Sequence, residues 1–464
     1  MKQFLLRAAL AVLAYCAGAL VPVLAQTLTV GLYPYVPNPQ QFQTVLAAEW
    51  RKVQPNVQLN FLGSDAWDGG YSMDPPPNAD VVVFDGMFFE YFRSRNLIER
   101  LAPGEIQNLS DFLPYALEGV KAADGQYYAI PQLGCAELLF YRKSDAALAN
   151  AKTLSQVKQS LGQCSFTSQI PPDRRGLLLD LSGGTTDAAL YLDTTHSITG
   201  QYPFPLPASP DQLNKLSIQN LRGMLSTSSF ENATRPSDNP YIFAQWFSNG
   251  WGRAYVGYSE SMSFMSEAAR NDVAFKPMPF SDNPSARPLF YADVIGVNTT
   301  VNQRGTRALA VQLANVMAAT STMLQSIVVN GAPQYLFPTR ASVFNALRPT
   351  YPIYGKMQEL VQASNPLMFK LDSQSRAWLA SPMKGVIKKE VLSDTVCGCD
   401  FPAVQIISGN ATAGPICTTT CSTHGGWNGQ WTNQYPASQN GSACGCNTCP
   451  LPVAQTQLKG RRKP

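Results

Sequence analysis

Apolar and polar positions along this chain fall into short alternating or continuous runs, separated by longer helical patterns. Leu28, Val30 and Leu32 alternate with small or polar residues as in a half-buried strand, closed by the turn Tyr33-Pro34-Tyr35-Val36-Pro37. Phe42, Val45, Leu46, Trp50 and Val53 then share one helical face, and Pro55 ends that helix. Val57, Leu59 and Phe61 alternate again. Asp80-Val81-Val82-Val83-Phe84-Asp85 is a continuous apolar run of the kind buried on both faces of a parallel sheet. The strand–helix–strand order predicts an α/β class. In open sheets of that class, ligands bind beyond the carboxyl ends of the strands. Tyr33, Tyr35 and Asp85 fall at such ends, and Tyr71 lies in the connecting loop from Trp67 to Pro77.

Further along, Thr153 to Leu161 reads as a helix. Leu177 to Leu181 reads as a strand entering a Gly-Thr turn and then a helix from Ala188 to Leu192. That turn lacks the lysine of a phosphate-binding loop, so it caps a helix rather than holding a nucleotide. Ala254, Val256 and Tyr258 form a strand that delivers Ser259-Glu260-Ser261 at its end. Leu289 to Val297 returns to the first lobe, and Arg307 to Met323 follows as one long amphipathic helix.

Composition sharpens this picture. With 464 residues, 45% of them hydrophobic, the chain can build two or three domains. A net charge of +4, without a basic stripe interleaved with aromatics, argues against a nucleic-acid partner. Met1 to Ala25 has the charged start, apolar segment and small-residue end of a secretory signal. Cys16 follows the bulky Tyr15, which does not suit a lipid-anchor signal. No second stretch approaches the ~18 apolar residues of a spanning helix. The expectation is an exported protein, secreted or periplasmic, in a compartment that permits disulfides.

From about Thr395 the composition shifts to Gly, Asn and Thr with seven cysteines: Cys397, Cys399, Cys417, Cys421, Cys444, Cys446 and Cys449. Such a segment needs covalent staples in place of a core. Its spacing shows no repeated CxxC pair, and export favours disulfides over zinc. The odd count leaves one cysteine free or paired elsewhere, with Cys164 available.

The chemistry-bearing residues are few. The chain has only two histidines, His196 in an expected loop and His424 in the stapled tail, so a Ser-His-Asp triad or Cys-His pair would have to use His196. Cys135 heads an apolar, aromatic run after a Pro-Gln turn, where a thiol is a half-cystine, an inert filler or a nucleophile. As a nucleophile it would need a carboxylate base, desolvated to raise its pKa. Glu260, among Tyr258, Met262 and Phe264, has neighbours suited to that; the alternative is an exposed turn glutamate.

Seven stretches taken together resemble the thiaminase I family: Leu32 to Pro37, Val83-Phe84-Asp85, Ile130 to Cys135, Leu138 to Lys143, Asp180 to Thr185, Gly257 to Met262 and Tyr291-Ala292-Asp293. The match is colinear from about Leu28 to Leu392, and the tail departs from it. The resemblance implies a two-lobed type II periplasmic-binding-protein fold hinged around a cleft. On that basis residues 26–131 and 294–345 approximate lobe 1, residues 132–293 and 346–394 lobe 2, and residues 395–464 the disulfide-rich tail. It also implies Cys135 as nucleophile and Glu260 as its activating carboxylate. Asp85 and Asp293 would be acidic residues of the thiamine site, with Tyr33, Tyr35, Tyr71, Tyr241 and Tyr258 around it. The implied partners are thiamine and an organic base of the pyridine or aromatic-amine type, acting on a monomer without metal or organic cofactor. A solute-binding protein on the same fold is the rival reading, distinguished by the Cys135/Glu260 pair. A third makes the tail an adhesion or carbohydrate-binding module.

Overall fold

The computed structural model describes residues 26–162, 176–181, 184–225, 241–250, 252–392, 400–433 and 442–447. The expected signal segment, Cys164, Cys397, Cys399 and Cys449 lie outside them.

The first strand, β1 (Thr27–Gly31), leads into helix α1 (Pro39–Val53), whose Asn38 side chain accepts from the Gln41 amide as an N-cap. Phe42, Val45, Leu46 and Trp50 are buried as the periodicity requires, whereas Val53, at the last turn, is 44% exposed. Strands β2 (Gln58–Phe61) and β3 (Val81–Asp85) follow, both parallel to β1. Every residue of β3 is buried. The sheet is nonetheless mixed rather than parallel, because β3 pairs antiparallel with a late strand, β8 (Leu289–Val297). Just before β3, buried Asp80 ties three segments together. It accepts from the Thr29 amide at 2.8 Å, from Arg304 at 2.7 Å and from the Thr306 hydroxyl at 2.6 Å.

Strand β4 (Ile130–Arg142) is the longest among the described residues and runs through both halves of the sheet. Its first half pairs with β8, from Ile130↔Ile295 to Ala136↔Phe290. At Glu137 the partners change to β6 (Ala254–Tyr258) and β7 (Val273–Pro277). Among the described residues the sheet has ten strands, its main path running β2-β1-β3-β8-β4-β6-β5, where β5 is the two-residue strand Leu177–Leu178. Cys135 therefore sits inside a strand and not after a turn; Pro131 is accommodated by a register irregularity between Pro131 and Gly134.

Three helices differ from expectation or confirm it. Leu154–Leu161 (α2) is capped by Thr153 as the sequence predicts. The helix expected from Ala188 to Leu192 extends over Gly184–Thr199 (α3), so His196 is helical and not in a loop. The long helix expected from Arg307 to Met323 is two, Arg307–Met317 (α4) and Thr320–Ile327 (α5). In the tail, the helix Asn410–Thr420 packs on a three-stranded sheet. Disulfides Cys417–Cys444 and Cys421–Cys446 join helix to sheet, as the composition predicts.

Candidate active site

Side chains alternate along a strand, and residues directly opposite on neighbouring strands share a face. The register pairs Asp85 with Asp293, Cys135 with Tyr291, and Glu137 with Tyr258. Asp293 follows Tyr291 by two on β8, and Glu137 follows Cys135 by two on β4. One face of the sheet thus carries Asp85, Asp293, Tyr291, Cys135, Glu137 and Tyr258. Glu260 lies just beyond the end of β6 in the short 3-10 turn Ser259–Phe264.

These residues line a cavity of about 480 Å³ at the point where β4 changes partners. All nine residues named from the sequence reach it: Tyr33, Tyr35, Tyr71, Asp85, Cys135, Tyr241, Tyr258, Glu260 and Asp293. The volume lies within the ~300–1,000 Å³ usual for small-molecule sites. Sequence reasoning missed Glu137, Tyr291, Asp180 and Tyr255, which also line it. For Glu137 the signal was present, since Cys-Ala-Glu in a strand puts the outer two side chains on one face.

At one end, Asp85 accepts hydrogen bonds from Tyr71 at 3.0 Å, from Tyr33 at 3.4 Å and from the Met87 amide at 3.0 Å. Tyr33, Tyr35 and Tyr71 meet edge to face, with centroids 5.4–5.5 Å apart where Tyr35 contacts the other two. Tyr35 is 58% exposed and forms the rim of the cavity. At the other end, Tyr241 stacks on Phe264 with centroids 4.1 Å apart, which fixes it to the turn that carries Glu260. Tyr258 and Tyr291 meet edge to face at 5.5 Å.

Electrostatically the cavity is strongly acidic. Burial raises Asp85 to about 6, against the pull of its three donors. Burial lifts Asp293 well above the carboxylate range, and the Asp85 and Glu260 charges add to that. Burial also raises Glu260 to about 7, offset in part by a backbone N–H and by the Ser259 hydroxyl, which donates at 3.2 Å. Cys135 is the free cysteine among the described residues and is half-buried. Its thiol is pushed well above its ordinary value, first by burial and then by Glu260, Asp293, Asp85 and Glu137. A thiol beside a carboxylate near neutrality is a nucleophile–base arrangement. His196 takes no part: it is buried, with both ring nitrogens bonded to the carbonyls of Gln201 and Arg287 at 2.9 and 3.0 Å.

The chain has relatives among known proteins. A family model described as the thiaminase-1 domain matches residues 136–281, and one described as mannan-binding protein matches residues 410–446. The chain is 38% identical over 360 residues to thiaminase-1 of Paenibacillus thiaminolyticus, covering 76% of this chain and 85% of that protein. Among solved structures, Clostridium botulinum thiaminase I in complex with thiamin superposes with a TM-score of 0.73 at 38% identity, over 78% of this chain and 99% of that one. Thiaminase I from Bacillus thiaminolyticus gives 0.72 at 37%, over 79% and 99%. The maltose-maltodextrin binding protein of Alicyclobacillus acidocaldarius, at 17% identity and a TM-score of 0.54 over 79% and 95%, shares the fold alone. The architecture is that of the type II periplasmic-binding-protein class, and by its identity to thiaminase-1 over most of its length this chain belongs to the thiaminase I family.

Proposed function

We propose that this protein degrades thiamine by a covalent route in which Cys135 is the nucleophile and Glu260 its base. The observation that carries the reading is the pairing, in one cavity, of a free thiol with a buried carboxyl at about 7. Glu260 takes the thiol proton, and the thiolate forms a C–S bond to the aminopyrimidine ring. The bond from the bridging methylene to the thiazolium nitrogen then breaks, and its electrons leave with neutral thiazole. An organic base of the pyridine or aromatic-amine type bonds to the methylene. Finally the C–S bond breaks and the sulfur recovers its proton from Glu260.

Asp85 and Asp293 stand opposite each other in the register, and two carboxyls so placed resist double ionisation. Asp293, the more strongly raised, serves as a neutral donor to the pyrimidine, while Asp85 accepts from its amino group. Tyrosine faces suit a flat cationic ligand and contribute roughly 0.5–2 kcal/mol each when desolvated.

Incubation with thiamine followed by intact-mass measurement tests this reading. Wild type should carry a pyrimidine adduct when no acceptor base is supplied, and Cys135→Ser should not. Unmodified wild type together with intact thiamine would indicate a solute receptor instead.

The tail supports a second role. Residues 410–446 are similar to a mannan-binding protein family, and Trp427 and Trp431 sit half-exposed on one strand of the disulfide-stapled unit. We propose that it attaches the enzyme to mannan-type polysaccharide, with export directed by Met1 to Ala25. Retention of the full chain on a mannan resin, lost when residues after Leu392 are deleted, is the expected result.

A further inference from the structure

The proposed thiamine chemistry leaves one proton unaccounted for, and the inference drawn from it rests on that reading. When the acceptor is a pyridine, its nitrogen carries no hydrogen, and the cycle returns the Glu260 proton to sulfur with nothing in excess. When the acceptor is a primary aromatic amine, the new C–N bond creates an ammonium, which must lose a proton. Glu260 cannot take it while holding the proton that belongs to Cys135.

A second carboxyl is built into the wall. Glu137 lines the cavity two residues beyond Cys135 on the same strand face, is 6% exposed, and has one carboxyl oxygen, Oε2, without a hydrogen-bond partner. Its backbone carbonyl accepts from the Met278 amide at 3.3 Å, and its neighbour Leu138 pairs with Pro277. Pro277 and Met278 line a separate cavity of about 430 Å³, which opens to solvent past Asn283, Pro284 and Ser285. Asp193, on α3, lines that second cavity and is itself 3% exposed. Glu137 thus stands at the partition between two cavities, with a second buried acid on the far side. The two carboxyls lie within electrostatic reach of each other, and each is pushed up by burial. The hydroxyl of Tyr291, also buried and without a hydrogen-bond partner, lies within electrostatic reach of both.

We propose that Glu137 and Asp193 form a relay that carries the amine proton from the reaction cavity to solvent. The proton passes from the product ammonium to Glu137, from Glu137 to Asp193 by way of the Tyr291 hydroxyl, and from Asp193 to water in the second cavity. No bond other than N–H and O–H changes, and no electron is transferred. The two acids make the difference between acceptors that shed a proton and acceptors that do not.

The test compares kcat for thiamine with aniline and with pyridine, in the full chain and in Glu137→Gln and Asp193→Asn. The expected result is a fall of about tenfold or more in the aniline-to-pyridine ratio in both variants. A ratio unchanged in either, in a variant that melts as wild type does, overturns the relay. A variant that folds poorly lowers both rates together, and in that case wild type supplies the deciding measurement. Its solvent deuterium isotope effect should be larger with aniline than with pyridine, and equal effects also overturn the relay. Wild type inactive with both acceptors would instead refute the thiamine-degrading reading itself.

Discussion

Replacing Glu260 with glutamine removes the proposed base and little else, since the amide fits the same buried turn beside Ser259. The Cys135 thiol has an ordinary value of 9.0 and is raised well above it here. At pH 7 that leaves at most roughly one molecule in a hundred as thiolate without assistance, equivalent to at least ~2.7 kcal/mol. Glu260, at about 7, is half ionised at that pH and lines the same cavity as the thiol, so on the proposed route it accepts the proton as sulfur attacks. The variant should therefore lose about 100-fold or more in kcat at pH 7. Part of the deficit is recovered because the Glu260 charge, the largest neighbouring influence on the thiol, is also gone. The shape of the pH profile is more telling than the size of the loss. Wild type should rise about tenfold per pH unit on the acid side and level off above about 7, as the carboxyl ionises. Glu260→Gln should keep rising through pH 9, following the thiol alone. Steady-state thiazole release, measured with saturating thiamine and acceptor from pH 5 to 9.5, reads both curves. A variant within about threefold of wild type at pH 7, or one that still levels off near 7, would refute the assignment of the base.

Other outcomes are expected from the same structure. Gly134 precedes Cys135, and a Cβ there would stand 2.3 Å from the Tyr291 carbonyl oxygen. Gly134→Ala should therefore push β4 off β8, costing about 1–3 kcal/mol in urea unfolding and lowering kcat by moving the sulfur. Asp80→Ala removes the acceptor for Thr29, Arg304 and Thr306, and should cost about 2–4 kcal/mol by the same measurement. The free protein should melt lower as pH rises. Asp85 and Glu260 are raised from 3.8 to about 6 and from 4.5 to about 7, so their contribution is complete below about pH 4 and lost as pH passes through the higher values. Saturating thiamine, a cation, should flatten that decline in a thermal scan.

Much of this was legible in the sequence wherever the pattern was local. The fully buried run before Asp85, the strand delivering Glu260 and the cysteine-stapled tail are consequences of hydrophobic periodicity and composition. The features that escaped were set by distant contacts. The break between α4 and α5 falls at Ala318 and Ala319, where neither glycine nor proline marks it. The carbonyls freed there are taken by side chains: Arg340 Nε, from a distant segment, donates to Ala318 at 2.6 Å, and the Thr322 hydroxyl of α5 donates to Val316 at 2.6 Å. His196 comes after two threonines with poor helix propensity. Burial and two carbonyl partners hold it in α3 nonetheless. The mixed character of the sheet could not be read from β3, because a strand buried on both faces looks the same whichever way its neighbour runs.

An acidic cavity is an odd home for a nucleophilic thiol, because every carboxylate nearby opposes the thiolate. The arrangement makes sense once the substrate's charge is included. With the cavity empty, burial and four acids keep Cys135 protonated and the sulfur inert. A thiazolium cation entering between the tyrosines offsets those charges, and the thiolate becomes accessible only when there is something to attack. The same displacement reverses the balance at the end of the first step, when thiazole departs neutral and the positive charge is lost. The acids then favour a neutral acceptor whose nitrogen turns cationic as it bonds, such as pyridine, over water, which ends as a neutral alcohol. On the proposed route, acidity therefore gates the sulfur and also selects the acceptor of the second step, and a fold shared with a maltodextrin-binding protein carries that chemistry on one face of its central strands.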